Sequence, residues 1–298
     1  MRILLTGTSG QVGAALLPLL QRRAGPAGGA VLAPRRDAFD LSQPSALGAA
    51  LDALAPDLIV NPAAYTAVDR AEDERELAFR VNAEAPAVMA QWAARRGVPM
   101  IHVSTDYVFD GSGTAPWRED SAPNPLSAYG ASKLAGDQAI IAAGLAYLIV
   151  RTSWVYAATG TNFLNTIIRL AKEREELRVV ADQIGAPTSA RVIAETIAKI
   201  LAPAQSEPAR MLAERGGIVN VACGGETTWH GFAIAIVDEM RARGAELKCN
   251  RIVDIRTYEY PTKARRPANS RLDLRRLCAE FKIDLVPWRD ALVREFHW

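Results

Sequence analysis

The 298-residue sequence balances 35 Lys and Arg against 33 Asp and Glu, and its 49% hydrophobic content is ample for a large folded core, which excludes a disordered chain. The basic pairs Arg35-Arg36, Arg95-Arg96 and Arg265-Arg266 are isolated, and no apolar run has the length of a bilayer, so neither a nucleic-acid nor a membrane partner is expected. Cys223, Cys249 and Cys278 lie as far apart as His102, His230 and His297, so no disulfide framework, zinc spacing or other metal site is expected.

Arg2 to Thr6 reads as a first strand that runs straight into a glycine turn, without the basic and apolar regions of a signal peptide, so the cytoplasm is the expected compartment. Gln11 to Arg23 is a helix, Ala30 to Ala33 a second strand, and Ser45 to Leu54 a second helix. Asp57 to Asn61 is a third strand between Pro56 and Pro62, and two helical stretches follow from Asp69 to Ala94. Met100 to Ser104 is a fourth strand, a helix opens at Ser127, and Tyr147 to Arg151 is a fifth strand. This alternation predicts an α/β fold: a Rossmann-type, doubly wound parallel sheet whose ligand crevice lies at the C-terminal strand ends. Beyond Trp154 the pattern loosens into helices at Asn162 to Glu175, Arg191 to Leu201 and Trp229 to Arg243. Strands are expected near Val179 and over Ile218 to Ala222, with a linker from Pro203 to Gly217. We expect a nucleotide-binding domain over 1–155 and, over 156–298, a smaller, discontinuous C-terminal substrate-binding lobe with segments that return to complete the sheet.

Gly7-x-x-Gly10-x-x-Gly13 sits between the first strand and the first helix. Gly7 permits the tight turn, Gly10 admits a pyrophosphate to the backbone, Gly13 lets helix and strand approach, and the helix N-terminus attracts phosphate. At the end of the second strand, where a carboxylate would bond an adenine ribose, stands Pro34-Arg35-Arg36-Asp37; guanidinium groups suit a 2′-phosphate, which favours NADPH, with NADH as the alternative. The same arginines would also serve as a solvated strand end. Asp40-Leu41 offers a turn to the adenine, and Ala63-Ala64-Tyr65 a floor of small residues for the nicotinamide ribose and diphosphate.

Tyr129 and Lys133 are one helical turn apart, so the ammonium can favour the phenolate and make the tyrosine a proton carrier. Thr105, at the end of the fourth strand, could hold a carbonyl oxygen. The glycine turn, Ser104-Thr105-Asp106-Tyr107-Val108-Phe109-Asp110, the Tyr129-to-Lys133 helix and Arg151-Thr152-Ser153-Trp154-Val155-Tyr156 together resemble the extended short-chain dehydrogenases/reductases, and within them the dTDP-4-dehydrorhamnose reductase family. Asp182 to Thr188 and Tyr260 to Leu272 carry the resemblance over nearly the whole chain. It implies NADPH-dependent reduction of the 4-keto group of a dTDP-linked 6-deoxyhexulose, with Tyr129 as acid, Lys133 on the nicotinamide ribose and Thr105 on the ketone oxygen. By the same resemblance the cofactor meets Gly7, Gly10, Gln11, Val12, Gly13, Arg35, Asp40, Leu41, Ala63, Ala64, Tyr65, Val103, Tyr129 and Lys133. The sugar nucleotide would meet Thr105, Asp106, Trp154 and Arg266.

Some readings have plain structural alternatives: Trp154 as core, Asp106 as a turn cap, and Lys263, Arg265 and Arg266 as a solvated loop. Asn82 is expected to secure its helix near the sheet. Relatives that dimerise through a metal carry an acid just after the glycine turn; Ala14-Ala15 stand there, and Arg191 replaces another expected acid, leaving a monomer or another kind of homodimer. The competing assignments are a reductase or epimerase of another nucleotide sugar and a non-catalytic regulatory subunit.

Overall fold

The computed structural model describes residues 1–24, 28–203 and 207–296. Six parallel strands form the central sheet: β1 (Arg2–Leu5), β2 (Ala30–Leu32), β3 (Leu58–Asn61), β4 (Met100–Thr105), β5 (Tyr147–Thr152) and, much later in the chain, Gly217–Asn220. Before that last strand come β6 (Val155–Tyr156), β7 (Glu176–Val180), β8 (Ile184–Gly185) and β9 (Thr188–Ser189), which makes Gly217–Asn220 β10; β11 (Thr227–Thr228) and β12 (Arg251–Ile255) follow. The order β10-β5-β4-β3-β1-β2 reverses direction between β1 and β3, and the C-terminal ends of those strands open the crevice where doubly wound sheets bind ligands.

Helices cover both faces. On one, α1 (Gln11–Ala24) and α7 (Ala190–Leu201) pack Leu16, Leu20, Ile193 and Ile197 against Ile3, Leu5, Val60 and Ile101. On the other, α2 (Pro44–Leu54), α3 (Arg75–Phe79), α4 (Ala85–Arg96) and α5 (Ala128–Ala142) lie over the sheet, with Leu47, Met89 and Ile140 against Leu4, Ile59 and Ile149. Two-residue alternation along each strand sends neighbours to opposite faces, and the buried runs of β3, β4 and β5 are those of a sheet covered on both sides. α6 (Phe163–Glu173) and α9 (Trp229–Ala242), with α11 (Trp288–Glu295), enclose a second core of Leu164, Ile167, Phe232, Ile236 and Trp288 beside β7 and β12.

The linker expected over Pro203 to Gly217 contains a helix instead, α8 (Pro208–Arg215); α10 (Arg275–Phe281) comes after it near the C-terminus. Pro208 at the start fixes a helical φ, Leu212 is buried, and Arg210 faces Glu214 one turn on, so the charges read as loop are the wet side of an amphipathic turn. Ala204 to Ser206 of that linker lie outside the described residues. The short strands β6, β8, β9, β11 and β12 were not expected; all but β12 are of only two residues, too short for a periodic signal.

Between α3 and α4 the helix widens into a π segment over Arg80–Glu84. Pro86, at the start of α4, has no N–H for the carbonyl of Asn82, so the regular ladder cannot pass this point. The widened turn aims Asn82 at the site. Among the described residues no helix is long and apolar enough to cross a membrane.

Candidate active site

The glycine turn has the geometry of a phosphate cradle. Gly7 adopts φ +62°, and a Cβ there would lie 2.9 Å from Ala63 of the loop after β3; at Gly13 a Cβ would lie 2.1 Å from the carbonyl oxygen of Gly7. Both positions therefore exclude any side chain, while Gly10 is exposed and its N–H closes the turn on Gly7 O at 2.9 Å. Ala14 N–H reaches Gly10 O at 2.9 Å, so the first-turn N–H groups of Gln11, Val12 and Gly13 have no partner within the helix and point at the crevice. Those donors and that clearance fit a dinucleotide diphosphate. Val12 is nevertheless mainly core, and Gln11 Oε1 accepts from Asn162 Nδ2 at 2.9 Å, tying the turn to the N-cap of α6.

At the adenine end, Arg35 is almost fully exposed, 3.8 Å from Asp37, and Arg36 faces Asp40 at 3.5 Å. Asp40 accepts from Ser42 N–H at 2.9 Å, which holds its carboxyl below the ordinary range, and Leu41 is buried in the core behind the turn. Ala63, Ala64 and Tyr65 are half-buried. Asn82 clamps the Tyr65 backbone from both sides, accepting its N–H at 2.8 Å and donating to its C=O at 3.0 Å, and also donates to Ser132 of α5. Its expected securing role is thus specific: it fixes the floor loop to the helix bearing Tyr129. The Tyr65 hydroxyl donates to Glu74 at 2.7 Å.

α5 begins at a well-capped end. Ser127 Oγ accepts from Gly130 N–H at 3.1 Å, and Glu72 Oε1 accepts from Ala128 N–H at 2.8 Å, placing a carboxylate at the positive helix terminus. Tyr129, Lys133 and Asp137 then recur every fourth residue on one buried stripe facing β4. Thr105 sits opposite, its hydroxyl donating to Asp106 Oδ1 at 3.2 Å and accepting from Tyr107 N–H at 3.2 Å. Tyr107 packs edge-on against Tyr129, 5.5 Å between centroids.

Burial governs the electrostatics. It pushes the Tyr129 phenol well above its ordinary value, against a partial offset from a hydrogen bond with Thr105. This corrects the expectation that Lys133 lowers it. Lys133 is itself brought down to about 8 by burial, and its Nζ is engaged with His102 Nε2 at 2.9 Å and Val103 O at 2.7 Å. Val103 thus contributes a carbonyl to the lysine. Burial also raises Asp106 to about 7, although Ser270 and Thr105 bond it, and its Oδ2 has no hydrogen-bond partner among the described residues. Asp137 is raised by burial despite Lys133, Arg151 at 3.6 Å and the Ser104 hydroxyl at 2.8 Å.

The remaining sugar-side residues are committed to protein partners. Trp154 is buried, stacked on Trp229 at 3.7 Å, and held at φ +48°, a conformation costly for a bulky residue. Its indole lies where a side chain on Gly185 would be, so the core alternative describes most of its surface. Arg266 makes a two-pronged pair with Asp69 at 2.7 and 3.2 Å, and Lys263 pairs with Asp73, so the segment after β12 is strapped to the turn beneath Tyr65. Arg265, between them, is exposed. Arg191 faces Glu295 of its own chain at 3.4 Å. Among the described residues no group of three or more His, Cys, Asp or Glu is placed to hold a metal.

Sequence reasoning missed His102, Asn61, Asp137, Trp229 and Ser270. Asp137 had a signal, the continuation of the Tyr129-Lys133 spacing by four more residues; His102 had only its place between the apolar Ile101 and Val103 of β4.

Comparison with known proteins agrees with this geometry. The RmlD substrate binding domain family matches residues 1–297. A dTDP-4-dehydrorhamnose reductase of Burkholderia thailandensis is 47% identical over 294 residues, covering 98% of this chain and 97% of that protein. The chain belongs to the dTDP-4-dehydrorhamnose reductase family. The corresponding enzyme of Shigella flexneri is 42% identical over 99% of this chain and 96% of its own length. A crystal structure of a Bacillus anthracis dTDP-4-dehydrorhamnose reductase in complex with NADP superposes with a TM-score of 0.86 at 33% identity, covering 99% and 98% of the two chains. A UDP-glucose 4-epimerase of Thermus thermophilus shares the fold alone, at 20% identity.

Proposed function

We propose that this chain reduces the 4-keto group of dTDP-4-dehydro-β-L-rhamnose to give dTDP-β-L-rhamnose, using NADPH. The near-full-length similarity to dTDP-4-dehydrorhamnose reductases carries the reading, and the crevice chemistry supports it. NADPH, when bound, supplies the hydride. The chain's own task is to hold the ketone and deliver a proton. Thr105 orients the ketone oxygen, and Tyr129 donates its phenolic proton to the oxygen as negative charge develops there. A phenol raised by burial keeps its proton at neutral pH, which suits an acid in a reduction better than a phenolate would. Lys133 keeps one N–H free of His102 and Val103 in either charge state, available for the nicotinamide ribose. The first-turn N–H groups of α1 take the pyrophosphate, and the exposed Arg35 and Arg36 read a 2′-phosphate.

On the sugar side, Asp106 Oδ2 is a buried oxygen without a hydrogen-bond partner among the described residues, suited to a sugar hydroxyl. Trp154 walls the site rather than stacking freely on the sugar, and Arg266 reaches a diphosphate only by exchanging Asp69. The work belongs in the cytoplasm, where a nucleotide sugar and NADPH meet, on residues 1–155 for the cofactor and mainly 156–298 for the sugar. The test is loss of nicotinamide absorbance when the protein is mixed with NADPH and dTDP-4-dehydrorhamnose, with the product identified by NMR. No oxidation with that substrate, alongside turnover of another 4-keto nucleotide sugar, would overturn the substrate assignment.

A further inference from the structure

Beneath the nicotinamide side of the crevice lies a chain of polar side chains that the reaction as described does not use. Thr6 follows β1, Asn61 ends β3 and His102 lies within β4, three adjacent strands. The parallel register pairs Asn61 with His102, and Thr6 N–H bonds Val60 O at 3.1 Å. Strand alternation turns all three side chains to the α5 face, on the parity of Leu4, Ile59 and Met100. There Thr6 Oγ1 meets Asn61 Oδ1 at 2.6 Å, Asn61 Nδ2 meets His102 Nδ1 at 3.0 Å, and His102 Nε2 meets Lys133 Nζ at 2.9 Å. All four residues are buried, with His102 and Asn61 wholly so.

We propose that His102 is a positioning residue for this reaction, holding Lys133 through a buried hydrogen-bonded chain that ends at Thr6, directly before the glycine turn. The inference rests on the reductase reading for its kinetic arm and on cofactor binding alone for its other arm.

The chemistry follows from donor and acceptor counting. Burial and the nearby ammonium keep the His102 ring neutral, so one ring nitrogen donates and the other accepts. With Lys133 charged, Nε2 must accept, and Nδ1–H then needs the oxygen of Asn61. With Lys133 neutral, Nε2–H donates to Nζ, Nδ1 accepts from the Asn61 amide nitrogen, and the Thr6 hydroxyl donates to the Asn61 oxygen; the amide stands in this second orientation. An imidazole flanked by a reversible amide and a hydroxyl satisfies both charge states of the lysine without moving it. The other charged or titratable groups around it are Asp137 and, beyond that, Arg151, with Tyr129 one turn earlier on α5 and Asp106 just after β4. Stability alone does not call for such a chain, because an apolar side chain could fill the interior of β4 with no polar group to satisfy, as Ile101 and Val103 do on the other face.

Three variants test this beside the wild type: His102→Leu, His102→Gln and Thr6→Val. Gln can accept from Lys133 with its oxygen and donate to Asn61 with its amide, whereas Leu can do neither. We expect His102→Leu to lower kcat roughly tenfold or more with KM for the ketone unchanged, as loss of a buried hydrogen bond would, and His102→Gln to stay within about threefold of wild type. NADPH affinity, read by quenching of tryptophan fluorescence, should fall and recover in the same order, a readout that needs no sugar substrate. Thr6→Val reads the chain from its far end and should lower kcat about threefold. Equal losses in Leu and Gln, or an undiminished kcat and affinity in a folded His102→Leu, overturn the proposal; should His102→Leu fail to fold, an unchanged Thr6→Val or an inactive His102→Gln does so. Wild-type inactivity on dTDP-4-dehydrorhamnose would instead remove the reductase reading and leave the affinity series standing.

Discussion

Replacing Gly13 by Ala asks whether the first turn of α1 is built around a contact or merely tolerates a glycine. In an ordinary helix the change stabilises by about 1 kcal/mol, because glycine gives up more backbone freedom on folding. Here the new Cβ would sit 2.1 Å from Gly7 O and 2.6 Å from Gly7 C, both backbone atoms of the turn, and contacts under 3.0 Å do not persist. Helix and turn must separate by about 0.9 Å. Overpacking of this kind costs roughly 1–3 kcal/mol, and in a chain of this size a net loss of about 2 kcal/mol lowers Tm by roughly 3 °C. The same shift moves the N–H groups that face the pyrophosphate, so NADPH affinity should fall at least about tenfold, around 1.4 kcal/mol. Gly48→Ala is the control: it lies within α2 with nothing inside 4 Å of the added methyl, and it should raise Tm. Melting curves and fluorescence titrations with NADPH read both variants. A Gly13→Ala protein as stable as wild type, with unchanged affinity, would refute the packing argument.

Tyr129→Phe should cut kcat by about two orders of magnitude or more with NADPH affinity nearly kept, since the phenol is asked only for a proton; retention of most activity in steady-state assays would remove it as the acid. Arg35→Ala combined with Arg36→Ala should weaken NADPH far more than NADH in parallel titrations, and equal losses would return both arginines to a solvated strand end. Asp106 gives a pH signature: raised in the folded protein to about 7 from an ordinary 3.8, it binds a proton that the unfolded chain has released. Its contribution to stability is therefore present below about pH 4 and lost as pH rises toward 7. Asp106→Asn should flatten that decline in unfolding free energy between those limits by an amount on the order of a few kcal/mol, and parallel stability-against-pH curves for wild type and variant would contradict the shift.

How much of this was legible beforehand depends on the range over which each feature is encoded. Periodicity and turn chemistry act over a few residues, so the alternation of strands and helices, the glycine turn and the Tyr129-Lys133 stripe could be read from the chain itself. α8 escaped because its exposed charges outnumber its single fully buried leucine, and the π segment escaped because it depends on one absent N–H, at Pro86.

Sequence by itself determined the element order of the first half, the crevice edge, and which residue types converge there. Only the tertiary structure decided what those residues do to one another. Arg266 meets Asp69 across 197 positions, Trp154 stacks on Trp229, and His102 reaches Lys133 because adjacent strands share a register. It also reversed the expected direction at Tyr129. A spacing of four residues brings an ammonium close, but burial of the phenol in a low-dielectric site is the larger effect, and burial is a property of the whole fold.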